Sequence, residues 1–327
     1  MSQAAPDTGF QGQSAAGDPS GEVTGKTPGQ LFWARFKTDK VAFVGLGVII
    51  FLVLLALGAG LIAEHITHRG PNDLSLSRSM QDDFGLPKGP NGTYLFGADD
   101  AGRDYFIRVI YGARTSLQVA IIATGISVFI GVILGMTAGF FGGKIDTLIS
   151  RTIDVILSLP LLVFALGIAA ACGTTKEGCF GGYLKPGLGV VVFIIAAFSW
   201  PYIARIVRGN TLSLREKEFV EAARSLGSSN RRIMFKEVLP NLIAPILVYS
   251  TLIIPSNIVF EAALSFLGLG VPPRTPSWGR MLSDASQNLE GAPWLMVFPV
   301  LFLITTTLAF NLLGDGLRDA LDPRTGR

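Results

Sequence analysis

Residues 41–63 consist only of Val, Ile, Leu, Phe, Ala and Gly. That run limits the fold more than any other stretch. About 20 consecutive apolar residues suffice to cross the roughly 30 Å hydrocarbon core of a bilayer as a helix. Five further apolar segments follow, at 117–141, 146–171, 186–206, 241–267 and 296–313. In lipid the backbone of each span has to satisfy its own polar groups, so such segments are helices. The expected fold is all-α: a polytopic membrane protein with six transmembrane helices. Composition agrees, with 49% hydrophobic and 16% charged residues, against about 25% charged in soluble proteins.

The basic residues set the orientation. Lys26, Arg35, Lys37 and Lys40 precede the first span. With six alternating spans, Lys144, Arg151, the cluster from Arg205 to Lys236, and Arg318, Arg324 and Arg327 fall on the same side. The short loops of the other side carry only Lys176, Lys185, Arg274 and Arg280. Cytoplasmic loops are enriched in Lys and Arg. Both termini are therefore expected in the cytoplasm, with the chain multi-pass in the cell membrane and lipid around it. A net charge of +3, held mainly beside the spans, does not point to a nucleic-acid partner.

Residues 1–30 are rich in Gly, Ser, Ala, Pro, Gln and Thr. They are expected to be a disordered tail, because they cannot bury enough apolar surface to offset ordering. Gly21 to Thr27 is not a phosphate loop: three residues, not four, separate its glycines. Residues 31–40 mix aromatic and basic side chains as an interfacial helix does. Residues 64–110 form an external polar segment in which Glu64, His65 and His68 lack a further ligand for a metal. Within it Arg103 has Asp99, Asp100 and Asp104 as acidic neighbours, an arrangement that favours a salt-bridged loop over direct substrate contact. Gly125, Gly131, Gly135 and Gly139 recur at helical spacing, and Gly131, Gly135 and Gly139, four residues apart, offer a smooth packing face. Arg151 and Asp154 are placed to pair. Pro160 is expected to kink the third span, and Pro245 and Pro255 the fifth. Cys172 and Cys179 flank a short external loop. A disulfide suits that compartment, with two free thiols as the alternative.

Residues 215–240 form a charged island between the fourth and fifth spans, inside a loop assigned to 207–240. Phe219, Ala222, Ala223 and Leu226 follow the i, i+3, i+4, i+7 spacing of one helical stripe. Gly227 stands where a helix end takes a positive φ. Ser228, Ser229 and Asn230 are good caps for a second short helix, and Pro240 is expected to close the unit.

Glu221-Ala222-Ala223, Gly227 and Leu239-Pro240 resemble the EAA loop of ABC importer permeases, with Glu237 where that pattern usually has Ile. Residues 96–104 and 111–117 resemble the G-T-D-x-x-G-R-D and Y-G-A-R-x-S-L runs of the C-type permease subunit of dipeptide and oligopeptide importers, with Ala98 in place of Thr. Residues 261–268 and 311–324 resemble its E-A-S-L-S-F-L-G and N-L-L-G-D-x-L-R-D-x-L-D-P-R runs. The resemblance implies a type I importer permease domain over 111–317 and a cytoplasmic tail over 318–327. It implies that Glu221, Ala222, Ala223, Gly227, Leu239 and Pro240 form a coupling element docked on an ATPase subunit. The implied partners are a second permease, two ATPase subunits and an extracytoplasmic peptide-binding protein. The chain itself is expected to be non-catalytic and without a cofactor, ATP and Mg being bound by the ATPase partners.

Asn257 and Glu261 lie inside the fifth span. Polar groups at that depth face a water-filled path or protein, so a translocation-path role and a packing role are both open. An importer for nickel complexes or another small solute would share the architecture. An ATP-independent channel or secondary transporter would be expected to show buried acidic relays or inverted repeats, for which Glu261 is the one candidate.

Overall fold

The structure, a computed structural model, describes residues 28–74, 87–173, 179 and 187–321. The expectations for the tail up to residue 27, for residues 75–86 of the external segment, for the interior of the Cys172–Cys179 loop and Lys185, and for residues 322–327 lie outside the described residues. All named elements are helices.

Helix α1 (Pro28–Thr38) starts slightly earlier than the assigned interfacial helix. Asp39 ends it and caps α2 (Lys40–Leu57), its carboxylate accepting from the Val41 and Ala42 amides at 2.9 and 3.1 Å. The apolar run does not continue as one helix to Ala63. It breaks at Gly58 and resumes as α3 (Ala59–Ile62) and a wider turn over Ala63–Thr67, closed by His68 at φ 53°.

Helix α4 (Tyr105–Phe141) begins well before residue 117, because Asp104 caps it by accepting from the Phe106 and Ile107 amides. Residues 111–117 are thus inside a helix. The third span is not one kinked helix but two, α5 (Gly143–Ser158) and α6 (Leu161–Gly173), bent by 85°. Pro160 explains the break: its ring disfavours helical backbone in the preceding residue, and Leu159 is extended at φ −78°, ψ 137°.

Helix α7 (Leu188–Arg215) leads to α8 (Glu218–Ser225), and then α9 (Asn230–Arg232), a wide turn over Ile233–Val238 and α10 (Leu239–Phe266). Pro245 and Pro255 lie within α10 without ending it. Helices α11 (Trp278–Ser286) and α12 (Trp294–Leu321) complete the chain. Among the described residues five stretches are long and apolar enough to cross a membrane, and the bent pair α5–α6 makes a sixth if it counts as one span.

Helix α4 runs along α7 on a glycine seam. A Cβ added at Gly131 would lie 2.7 Å from the Ile203 side chain, and one at Gly139 would lie 2.7 Å from the Arg208 carbonyl oxygen. Gly125 faces open space and is not part of this seam. Helix α12 packs similarly on α2 and α10 at Gly45 and Gly314. Large apolar side chains such as Leu57, Phe129, Ile304 and Leu308 remain exposed on the outer faces, the pattern of a lipid-facing surface. This is a multi-pass membrane protein. One end of the bundle carries α1, Gly142 and α8; the other carries Tyr105, α11 and Trp294.

Candidate functional site

At the α8 end the chain forms a helical hairpin. Gly227 takes φ 76°. The Ser228 amide donates to the Ala223 carbonyl at 3.1 Å and the Gly227 amide to the Arg224 carbonyl at 2.9 Å. This pair of bonds satisfies the last carbonyls of α8 and turns the chain back. Ser229 caps the return, its hydroxyl accepting from the Arg232 amide. A Cβ at Gly227 would meet nothing within 4 Å, so its constraint is backbone conformation alone.

The stripe expected on α8 splits in two. Val220 and Ala223 are buried in a cluster with Ile233, Met234 and Val238. Phe219 and Leu226, 38% and 86% exposed, look outward together with Ala222 and Glu221. Pro240 does not close the unit. It occupies the first turn of α10, where a missing N–H leaves no bond unmade. Leu239 is half-buried beside it, so the return helix feeds straight into the fifth span.

Helix α7 is tied down beside the hairpin. Arg208 grips Asp146 of α5 with both branches of its guanidinium, one bond measuring 2.7 Å. Arg215 donates to the Gly139 and Phe140 carbonyls at the end of α4. Asp154 pairs with Arg205 at 2.9 Å rather than with Arg151.

A cavity of about 440 Å³ opens between α6, α7 and α10. Leu161, Phe198, Tyr202, Tyr249 and Phe260 give it a largely apolar, aromatic wall, and Ser199, Ser256 and Asn257 add polar points. The Asn257 side-chain oxygen accepts from Ser199 at 2.9 Å, and its amide donates to Thr124 at 2.8 Å.

Glu261, one turn further along α10, is not on that wall. It is fully buried and accepts from the hydroxyls of Ser116 and Ser265 at 2.8 and 2.7 Å. Ser116 accepts in turn from the Trp278 amide, and the Trp278 indole donates to the Val109 carbonyl at 3.2 Å. Glu261 therefore joins α4, α10 and α11. Of its two readings, this placement favours packing, while Asn257 stays at the cavity. Beyond this knot, Asp99 binds Arg103 at 2.6 Å and the buried Arg108 at 3.2 Å, and Asp104 binds Arg69 at 3.1 Å. Cys172 and Cys179 are joined by a disulfide.

Residues 131–327 match the family model described as binding-protein-dependent transport system inner membrane component. The chain belongs to that family. Residues 27–80 of this family member also match the N-terminal TM domain of oligopeptide transport permease C. The dipeptide transport system permease protein DppC of Alkalihalophilus pseudofirmus is 40% identical over 306 residues, covering 94% of this chain and 93% of that protein. The glutathione transport system permease protein GsiD of Shigella dysenteriae serotype 1 is 40% identical over 299 residues, covering 91% of each. Among solved structures, inward-facing MetNI methionine ABC transporter aligns with TM-score 0.52 and 18% identity over 66% of this chain and 96% of that one. An amino acid ABC transporter with histidines aligns with TM-score 0.51 and 22% identity over 65% and 94%. At these identities the structures speak for the fold.

Several residues of this inner membrane component were not singled out from sequence. Ser116 lies inside the 111–117 run and Arg108 inside the 64–110 polar segment, without an individual signal of their own. The signal for both was Asp104, an N-cap residue ahead of an apolar run, which moves the start of α4 back and turns residues 105–117 into helix. Ser199 and Thr124 carried no local signal, because their partner Asn257 lies on another helix.

Proposed function

We propose that this chain is one permease subunit of an ATP-driven importer for di- or oligopeptides, oriented with both termini in the cytoplasm. It lines the translocation path together with a second permease. Two ATPase subunits bind ATP and Mg, and an extracytoplasmic peptide-binding protein delivers substrate. The observation that carries this reading is the α8 hairpin: a short helix with exposed Phe219, Ala222 and Leu226, continuous through the return helix with the membrane span α10. Exposed apolar groups on an otherwise charged helix fit a docking face. The names of the 40%-identical relatives support peptides as the cargo class.

The mechanism follows from the mechanical layout. Helix α10 is about 42 Å long at 1.5 Å per residue for its 28 residues. Its first turn adjoins the hairpin, and its far half carries Asn257 at the cavity and Glu261 in the knot. Movement of the docked hairpin when the ATPases close is passed along α10 as a rigid body. The Glu261 knot holds the far end to α4 and α11, so the displacement is greatest near the hairpin and reshapes the cavity wall at Tyr249 and Asn257. The short peptide, with its charges and apolar side chains, passes a wall of aromatic faces and few polar groups, which holds it weakly enough to release it.

The test separates docking from folding. Phe219→Glu and Leu226→Glu change outward side chains only. Membrane level should stay normal, while ATPase co-purification and uptake of a labelled dipeptide fall together by roughly tenfold or more. Ala223→Trp instead attacks the buried face and should lower the membrane level as well. Normal ATP-dependent uptake in both Glu variants would overturn the docking reading, and unchanged peptide uptake in a strain lacking the chain would overturn the cargo.

A further inference from the structure

We propose that Arg114 and the groove between α2 and α4 form a binding site for a phospholipid, with the headgroup phosphate on Arg114 and an acyl chain along the groove. Arg114 is exposed and has no hydrogen bond or ion pair among the described residues. Gln118, one turn along the same face, is likewise exposed and unpartnered there. Both border a groove of about 170 Å³ whose other walls are Val53, Leu57, Leu117 and Ile121.

The position along the helix matches a headgroup. No charged residue occurs between Arg114 and the end of α4 at Phe141. Those 27 positions (141 − 114) span about 40 Å as helix, which is the hydrocarbon core plus part of the headgroup layers. Arg114 thus stands at one edge of the apolar layer, and Leu57, near the end of α2, stands beside it. Below them the face continues with Leu54, Ile122 and Phe129, 62%, 52% and 68% exposed. This is a surface for hydrocarbon, interrupted by one cation.

The chemistry selects the occupant. A guanidinium presents paired N–H donors that match phosphate oxygens, and the Gln118 amide adds a donor a turn deeper. The groove offers nothing polar to the remainder of the ligand, so the ligand is a phosphate carrying a hydrocarbon tail. A free phosphate would satisfy Arg114 alone. A carboxylate of a second protein would leave the groove unfilled.

The experiment does not depend on transport. The full chain is extracted in the membrane assembly that accompanies it, washed in detergent, and its retained lipids are measured by native mass spectrometry and lipid extraction. Readdition uses mixed micelles containing phosphatidylglycerol or phosphatidylethanolamine, with inorganic phosphate as competitor. Wild-type protein should retain phospholipid, and Arg114→Gln should lose it by roughly tenfold. Arg114→Lys should keep an intermediate amount, and inorganic phosphate should not displace it. A photo-crosslinker at Ile122 should label lipid. Equal retention in Arg114→Gln, displacement by inorganic phosphate, or crosslinking to a protein partner alone would each overturn the proposal.

Discussion

The two ends of the bundle handle polar groups in opposite ways. At the α8 end they are exposed: Arg205 and Asp154 pair with more than half of each side chain in contact with solvent, and α8 shows Glu221, Phe219 and Leu226 outward. At the α11 end they are enclosed: Glu261, Ser116 and Ser265 are fully buried, and both serine hydroxyls donate to the Glu261 carboxylate. A buried bonded network has few alternative arrangements, whereas an exposed helix end can be re-seated at little cost. The difference makes the α11 end a fixed point and the α8 end the movable one. Helix α10 connects them.

The largest expected effect breaks the fixed end. Glu261→Ala leaves the Ser116 and Ser265 hydroxyls without their acceptor and opens a cavity. Each unsatisfied buried group costs about 1–3 kcal/mol, so a loss of roughly 3 kcal/mol or more is expected. It should appear as a lower thermal unfolding midpoint and a reduced membrane level. Glu261→Gln keeps an acceptor oxygen and should recover most of both. If Glu261→Ala unfolds like wild type, the knot is not a fixed point. Next in size is the disulfide beside α6. Cys172→Ser with Cys179→Ser removes a crosslink worth about 2–3 kcal/mol, and the fixed half should unfold earlier with transport unaffected at low temperature. Mass spectrometry of non-reduced protein checks the bond itself: free thiols at both positions would remove the basis for this step.

Gly227→Val probes the movable end. Its φ of 76° is unfavourable for a β-branched residue, at a cost of roughly 1–2 kcal/mol. Because no atom crowds the position, the variant should insert normally and keep its unfolding midpoint within a few degrees. The redirected hairpin should still impair ATPase co-purification and uptake. An unaltered ATPase interaction would mean that the bend angle does not matter.

How far the sequence could be read depended on whether a feature was local. Spans and hairpin were visible because hydrophobic runs, the N-cap residues and Gly227 each act within a few positions. The glycine seam was visible because Gly131, Gly135 and Gly139 repeat every four residues, whereas Gly125, six residues before Gly131, is turned about 120° off that face and meets open space. Pro160 was read as a kink, but together with its extended neighbour Leu159 it separates two helices by 85°. Pro240 was read as a stop, but proline fits a helix's first turn as well as the position after its end. The stripe on α8 was correct in period and wrong in face: Val220, not Phe219, goes inward with Ala223, because the side it packs on is set by the return helix. Glu261 and Asn257 looked alike in sequence, and only the positions of α4, α7 and α11 distinguish them.

The smallest effect sharpens the comparison at the movable end. Arg205 and Asp154 are 57% and 55% exposed and 2.9 Å apart. Exposed pairs of this kind gain little, about 0–1 kcal/mol, because solvent screens the attraction and ordering two side chains opposes it. Arg208 and Asp146, three residues along α7, are less exposed at 31% and 19% and meet through a two-branched contact. A double-mutant cycle on Arg205→Gln and Asp154→Asn should therefore give a coupling near zero at physiological salt, and the same cycle on Arg208 and Asp146 a clearly larger one. The contrast follows from geometry: the forked contact fixes both side chains with two bonds in a partly enclosed place, while the outer pair holds one bond in the open. A coupling at Arg205 as large as that at Arg208 would show that α5 and α7 are clamped along their whole contact. The α8 end would then be as rigid as the α11 end, and the hairpin would have to move by bending α10 rather than by carrying it.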